Sequence, residues 1–370
     1  MENKYTRIVD FVSDFVKDYV KPLAKEVDEN HRFPRETVIR MAKSNMMGIP
    51  FSPDYEGAGA DTLAYALTIE ELSKACATTG IILSAHTSLV CDPLNKYGSK
   101  ELKAKYLNDL CSGRKLGAFG LTEANAGTDV AGGSTVAIKY DNHYELTGNK
   151  LFITNAIEAE IYIVFANLDQ KLSAFIIEKG WEGFTFGKTE NKLGICGSST
   201  SELIFDHVKV PLENLLGKEG NGFKIAMGTL DGGRIGVAAQ ALGIAKGAYE
   251  EALQYTKQRK QFGKSLSSFQ NTQFVLADMA TQIEAASLLV YQAAKAKDSG
   301  NRFSKEAAMA KLYASEVAMS VTTKAVQLFG GYGYIKDYPV ERMMRDAKIT
   351  EIYEGTSEVQ RMVIASSILR

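Results

Sequence analysis

The sequence predicts an α+β fold in three successive parts: a helical N-terminal domain (1–115), a middle antiparallel β domain (116–222) and a C-terminal helical bundle (223–370). Three observations carry this. Apolar residues recur at helical spacing through the first third. At Gly117 the composition turns to glycine, threonine and β-branched residues in short runs separated by turn residues. From Phe223 onward, long helical patterns with wide apolar faces and short links return. A chain of 370 residues exceeds one ordinary core, so several domains are expected in any case.

In the first part, Ile8, Phe11, Val12, Phe15, Val16 and Tyr19 mark a helix from Ile8 to Val27, punctuated by Pro22. A second helix runs from Glu36 to Asn45, and Phe33-Pro34 forms the turn before it. The glycine-rich Tyr55–Ala60 loop follows no predicted strand and so is not a dinucleotide fingerprint. Further helices cover Leu63–Thr79, Ile81–Tyr97 and Lys100–Ser112. The small residues of Ile82–Leu89 suit either the floor of an acyl pocket or plain helix packing.

The middle part carries strand-like runs at Val136–Lys139, Tyr144–Thr147, Lys150–Thr154, Tyr162–Asn167, Ser173–Ile177, Phe184–Lys188 and Ser201–Val208. Asp141-Asn142 and Asp169-Gln170 sit at turns between them. This spacing predicts a compact antiparallel barrel or sandwich. Gly217–Gly222 marks the next boundary. Helices then span Phe223–Lys257, Leu266–Asp298 and Ser304–Phe329, with a final pair around Glu354.

Composition excludes several functions. Hydrophobic content of 45% and charged content of 24% are those of a globular protein. A formal net charge of −1 gives no basic face for nucleic acid. Cys76, Cys91, Cys111 and Cys196 are widely spaced, which argues against zinc or a disulfide framework and for reduced thiols. The four histidines are scattered, so no metal site and no histidine-centred mechanism is expected. No run of ~18 apolar residues and no secretory signal is found, so no membrane span is expected. A bacterial cytoplasm is the simplest home, or the mitochondrial matrix for a eukaryotic source.

The chemistry is expected in Arg345–Arg361. Val340–Ile352 reads as helix, Gly355 as its C-terminal breaker and Thr356 as the cap of the next helix. Glu354 then lies in a break between helices with apolar flanks, where desolvation would raise its pKa and make it a better base near neutral pH. On this stretch alone a solvent-exposed loop glutamate is the commoner outcome.

Arg345–Arg361, with its Tyr-Glu-Gly-Thr at 353–356, resembles the C-terminal signature of the acyl-CoA dehydrogenases, and matching motifs recur in order from about Glu26 to Arg361. The similarity is greatest to the bacterial short-chain, butyryl-CoA branch. It implies that family's fold, with a C-terminal four-helix bundle, and FAD as cofactor. In Phe119–Asp129, Phe119, Leu121 and Thr122 would border the flavin and Thr128 the acyl-CoA; Ala124 stands where most relatives have proline. Phe152, Ile153 and Thr154 resemble a second flavin-facing motif. Asp231 and Arg234, in Leu230–Arg234, would lie at the CoA moiety together with Gly355. Arg259, Phe262 and Gln270 would meet the FAD pyrophosphate, with Gln327, Gly330 and Gly331 completing its adenine end and Thr356 and Glu358 touching FAD from the other side. In relatives those adenine-end groups come from a neighbouring subunit, which implies a homotetramer (dimer of dimers).

The resemblance assigns Glu354 as the catalytic base. In two other branches the carboxylate precedes the Arg234-equivalent, and here that position is Gly233. The expected activity is oxidation of a short acyl-CoA, butyryl-CoA favoured, to the trans-2-enoyl-CoA. Electrons would pass to an electron-transferring flavoprotein, and the same groups could run in reverse as an enoyl-CoA reductase. An acyl-CoA oxidase or flavin monooxygenase component on this scaffold is the alternative, and a non-catalytic binding protein the remaining one.

Overall fold

The computed structural model describes residues 3–369. α1 (Asn3–Phe15) continues through a π-helical turn, Val16–Val20, and a 3-10 turn, Lys21–Leu23, into α2 (Ala24–Glu29). The helix expected from Ile8 to Val27 is therefore a chain of helical segments, irregular around Pro22, which has no N–H to donate. After α3 (Arg35–Lys43), Asp61 caps α4 (Thr62–Ala75) by accepting from the Ala64 amide at 2.9 Å. Cys76 is extended and breaks the chain before α5 (Ala77–Ser84). A π-helical segment, Ala85–Cys91, joins α5 to α6 (Asp92–Tyr97), and Ser99 caps α7 (Lys100–Cys111).

The strands are β1 (Gly117–Gly120), β2 (Val136–Lys139), β3 (His143–Thr154), β4 (Ile161–Leu168), β5 (Lys171–Glu178), β6 (Phe184–Thr189), β7 (Thr200–Pro211) and β8 (Leu215–Leu216). They form one sheet in the order β6-β7-β3-β2-β4-β5-β8, with β1 also paired to β4. The sheet is mixed rather than purely antiparallel: β4 runs parallel to both β1 and β2. The reason is topological. β3 returns antiparallel to β2, the chain reverses again after Thr154, and β4 therefore runs with β2. The runs 144–147 and 150–154 are one strand, whose register against β7 shifts twice, the second time between Lys150 and Ile153.

β4 is covered on both faces, which explains its nearly continuous apolar sequence. Tyr162, Val164 and Ala166 enter the core of the β domain. Ile161, Ile163 and Phe165 pack with Leu94 of α6, Leu107 of α7 and Ala226 at the start of the next helix.

The C-terminal part comprises α8 (Gly222–Gln258), a hairpin of β9 (Lys260–Gln261) and β10 (Lys264–Ser265), α9 (Gln270–Asp298), α10 (Ser304–Phe329), α11 (Val340–Lys348) and α12 (Ser357–Ile368). α8 and α4 share the largest core with α9, α10 and α11, through residues such as Leu242, Ile69, Met279, Val321 and Met343. By length and composition α9 is apolar enough to cross a membrane. It packs here through Met279, Ile283 and Val290, and leaves Phe274 and Leu288 on the surface.

Candidate active site

Glu354 lies between the 3-10 turn Ile349–Glu351 and α12, whose N-cap Thr356 accepts from the Val359 amide at 3.4 Å. α11 ends at Lys348, so the helix stops well before Gly355. Glu354 itself is left-handed, with φ 53°, as is Gly355. The preceding Tyr353 donates its hydroxyl to Gln240, whose amide donates to the Ala77 carbonyl at 3.0 Å. These bonds tie the break to α8 and α5.

Glu354 is half-buried, but its Oε2 is closed off from solvent and has no hydrogen-bond partner among the described residues. Burial pushes its carboxyl up to about 7, against the opposing charges of Lys311 and Arg234. A carboxylate poised near neutrality and lacking a partner is suited to taking a proton from a ligand. Gly233 of α8 faces it so closely that a Cβ there would overlap Oε2, and Leu89 borders the same point. One turn further along α8, Gly236 faces Ser84 and Tyr65. Leu89 and Ser84, both in the wholly buried 82–89 segment, therefore pack against α8 beside the carboxylate.

Asp231 and Arg234 are joined at 2.6 Å, and Ser304 donates to the other Asp231 oxygen at 2.5 Å. Arg234 is 5% exposed and its Nε has no partner among the described residues, so one donor remains free toward the interior. The carbonyl of Gly355 is already engaged by Lys311 and Gln360. Thr128 lies exposed in the loop after β1.

The segments expected to face a flavin converge at the second irregularity of β3. Leu151 donates to the Thr122 carbonyl at 2.8 Å, which ties the loop after β1 to β3. Phe152 has φ 58° and is 62% exposed, a large aromatic with no packing of its own to justify the conformation. The hydroxyls of Thr122 and Thr154 have no partner among the described residues. Leu121 is half-buried, and Phe119 packs edge-on against Phe165. Ile153 is buried in the core of the β domain, which leaves only its backbone for a cofactor. Beneath the loop, Glu123 pairs with the buried Lys150 at 2.5 Å and accepts from the Ser134 and Thr135 amides. Despite burial, Lys150 and these donors hold its carboxyl at about 2.

A second group assembles at the far end of α8. Arg259, Gln327, Gly330 and Gly331 line one cleft of about 420 Å³, with Arg259 over the Tyr332 ring. A Cβ on either glycine would meet nothing, though the positive φ of 61° at Gly330 by itself calls for glycine there. Phe262 stands at the β9–β10 hairpin tip, 93% exposed, and Gln270 is exposed at the start of α9; neither lines the cleft. Thr356 and Glu358 belong to the Glu354 end. At about 1.5 Å of rise per residue, α8 places Arg259 ~40 Å along its axis from Gly233.

These residues fit a flavin dinucleotide: an exposed aromatic with two free hydroxyls for the ring, and an arginine beside open glycines for the phosphates. Sequence reasoning missed Lys311, Gln360, Gln240 and the Glu123–Lys150 pair. Lys311 left one trace, as a lone charge among Ala307, Ala310 and Ala314 on a buried helix stripe.

Residues 3–114, 118–208 and 220–369 match, respectively, the N-terminal, middle and C-terminal domains of acyl-CoA dehydrogenase. The chain is 59% identical over 354 residues to the short-chain specific acyl-CoA dehydrogenase of Clostridium acetobutylicum, covering 94% of this chain and 93% of that protein. Among solved structures, butyryl-CoA dehydrogenase from Megasphaera elsdenii superposes with a TM-score of 0.99 at 51% identity, covering 100% of this chain and 99% of that one. A chain from the structure described as the electron transferring flavoprotein of Acidaminococcus fermentans, in work on flavin-based electron bifurcation, gives 0.99 at 52% identity with the same coverage.

Proposed function

The chain belongs to the acyl-CoA dehydrogenase family, and from that premise we propose that it oxidises short-chain acyl-CoA, butyryl-CoA foremost, to the trans-2-enoyl-CoA. The observation that supports this best is Glu354: a carboxyl pushed up to about 7 whose inner oxygen has no partner among the described residues, set against Gly233 and Leu89.

Glu354 removes the α-proton of the bound thioester. That proton is weakly acidic, so the thioester oxygen needs a donor, and the Glu354 backbone amide is the group for it. The left-handed backbone at Glu354 sets the direction of that amide relative to its own carboxylate. Arg234 adds positive charge on the same side, and the acyl chain lies against Leu89 and the 82–89 segment. Phe152, Thr122 and Thr154 would hold the flavin ring of FAD, which would supply the hydride acceptor for the β-hydrogen. The same residues serve the reverse reduction, since a protonated Glu354 returns the proton.

Within one chain the Arg259 cleft stands ~40 Å along α8 from Gly233 and the Glu354 end of the site. FAD lies between subunits, in a homotetramer to which the apolar outer face of α9 contributes. The electron acceptor is an electron-transferring flavoprotein, in keeping with the similarity to the Acidaminococcus structure. Free, buried cysteines and bacterial relatives support a cytoplasmic setting.

The test is the visible spectrum of the purified protein under anaerobic butyryl-CoA. Bleaching of the flavin band is expected in the wild type and not in Glu354→Gln. A yellow protein that no short acyl-CoA bleaches overturns the substrate assignment, and a protein that binds no FAD overturns the reading altogether.

A further inference from the structure

Lys311 is fully buried on α10, yet no carboxylate lies within ion-pair distance of it among the described residues. Its one hydrogen bond is from Nζ to the Gly355 carbonyl, at 2.7 Å. An ammonium taken out of water without an ionic partner is costly, and a methionine would fill the same volume without that cost. Its position therefore requires a reason beyond packing.

The reason lies in the backbone it grips. Glu354 and Gly355 are consecutive left-handed residues, and for a glutamate this conformation persists only when the surroundings over-determine it. Two buried side chains do so. Lys311 and Gln360 both donate to the Gly355 carbonyl, and Gln360 also reaches the Glu354 carbonyl at 3.3 Å. Of these two clamps only Lys311 brings charge.

We propose that Lys311 is a positioning residue for the Glu354 base: it fixes the left-handed turn through the Gly355 carbonyl and supplies the positive charge against which the carboxylate ionises. This rests on the reading of Glu354 as the base. The charged groups that face Lys311 are Glu354 and Glu351 from the break, Arg234 from α8 and Glu358 from α12. Burial pushes Lys311 down to about 8, with Arg234 acting in the same sense and Glu354 against it, so the ammonium is charged at neutral pH. Lys311 is the first charge opposing the burial of Glu354, ahead of Arg234.

The experiment is an infrared titration of the holoenzyme without substrate, following the protonated-carboxyl band that is missing from Glu354→Gln. Lys311→Met is expected to raise the pH at which that band titrates by about one unit, because loss of a nearby cation disfavours the anion. Lys311→Arg should restore the wild-type midpoint. Gln360→Leu, which removes the uncharged clamp, should leave it in place. An unchanged midpoint in Lys311→Met, or equal shifts in all three variants, overturns the proposal. Because the readout needs no turnover, it stays separate from the functional assignment: a wild type that butyryl-CoA does not bleach defeats the assignment while the titration still judges Lys311.

Discussion

The inner carboxylate oxygen of Glu354 occupies the space that a side chain on Gly233 would fill. The two residues are 121 positions apart in the sequence numbering and belong to different elements, α8 and the break before α12. The absence of a side chain at Gly233 leaves room for the carboxylate.

Gly233→Ala should therefore fold and yet displace the carboxylate. A misplacement of about 1 Å at a catalytic group costs on the order of 100-fold in rate. Stopped-flow measurement of flavin bleaching should show a loss of that order, with the thermal midpoint falling by only a few degrees. An unchanged rate would mean that Glu354 swings clear of the methyl group and that the close fit is immaterial.

Ionising Glu354 opposes folding. Its carboxyl titrates at about 7 in the folded chain against 4.5 for the free group, so the folded state holds the extra proton between those values. Stability from this group is thus present at low pH and falls as pH rises from about 4.5 to 7. Glu354→Gln should be more stable than wild type above pH 7 and indistinguishable from it near pH 4. The full shift corresponds to ~3 kcal/mol, and the half-buried position reduces this to about 1–2 kcal/mol. Urea unfolding at both pH values measures it.

The Glu123–Lys150 pair holds the loop after β1 over β3. Glu123→Gln leaves a buried ammonium without a counter-charge, which costs about 3–5 kcal/mol. Reduced unfolding midpoints with weakened flavin retention are expected. Lys150→Met should be milder, because Glu123 keeps the Ser134 and Thr135 amides.

If the flavin site is shared between subunits, two inactive chains should rescue one another. On the proposed roles, Glu354→Gln would lack the base and Arg259→Ala the phosphate contact, so each homo-oligomer alone should have little activity. Co-expressed, they should form mixed assemblies in which some sites combine an intact Glu354 with an intact Arg259 from the other chain. Recovered bleaching in the mixture supports the shared site, and its absence places both groups in one chain's site.

Much of this molecule was legible in its sequence, because helix and strand periodicity are local. The order helices–sheet–bundle, the bounds of Ser304–Phe329 and Val136–Lys139, and the Thr356 cap follow from residues close to one another in the chain. Local pattern placed Glu354 in a break between helices, and the resemblance of Tyr353-Glu354-Gly355-Thr356 to the family signature brought it forward as the chemical segment. Local pattern did not divide the signature around them. Asp346 accepts from the Ile195 amide and Arg345 pairs with Asp28, so that half docks the middle and N-terminal parts on α11. Tertiary structure alone decided the parallel pairing of β4 and the vacancy at Gly233. It also placed Lys311 against the Gly355 carbonyl, and these depend on contacts between residues far apart in the chain, which periodicity does not record. The type of each segment was written locally. The proton affinity of Glu354 was set by what folding brought against it: burial of its inner oxygen, and two cations from two other helices.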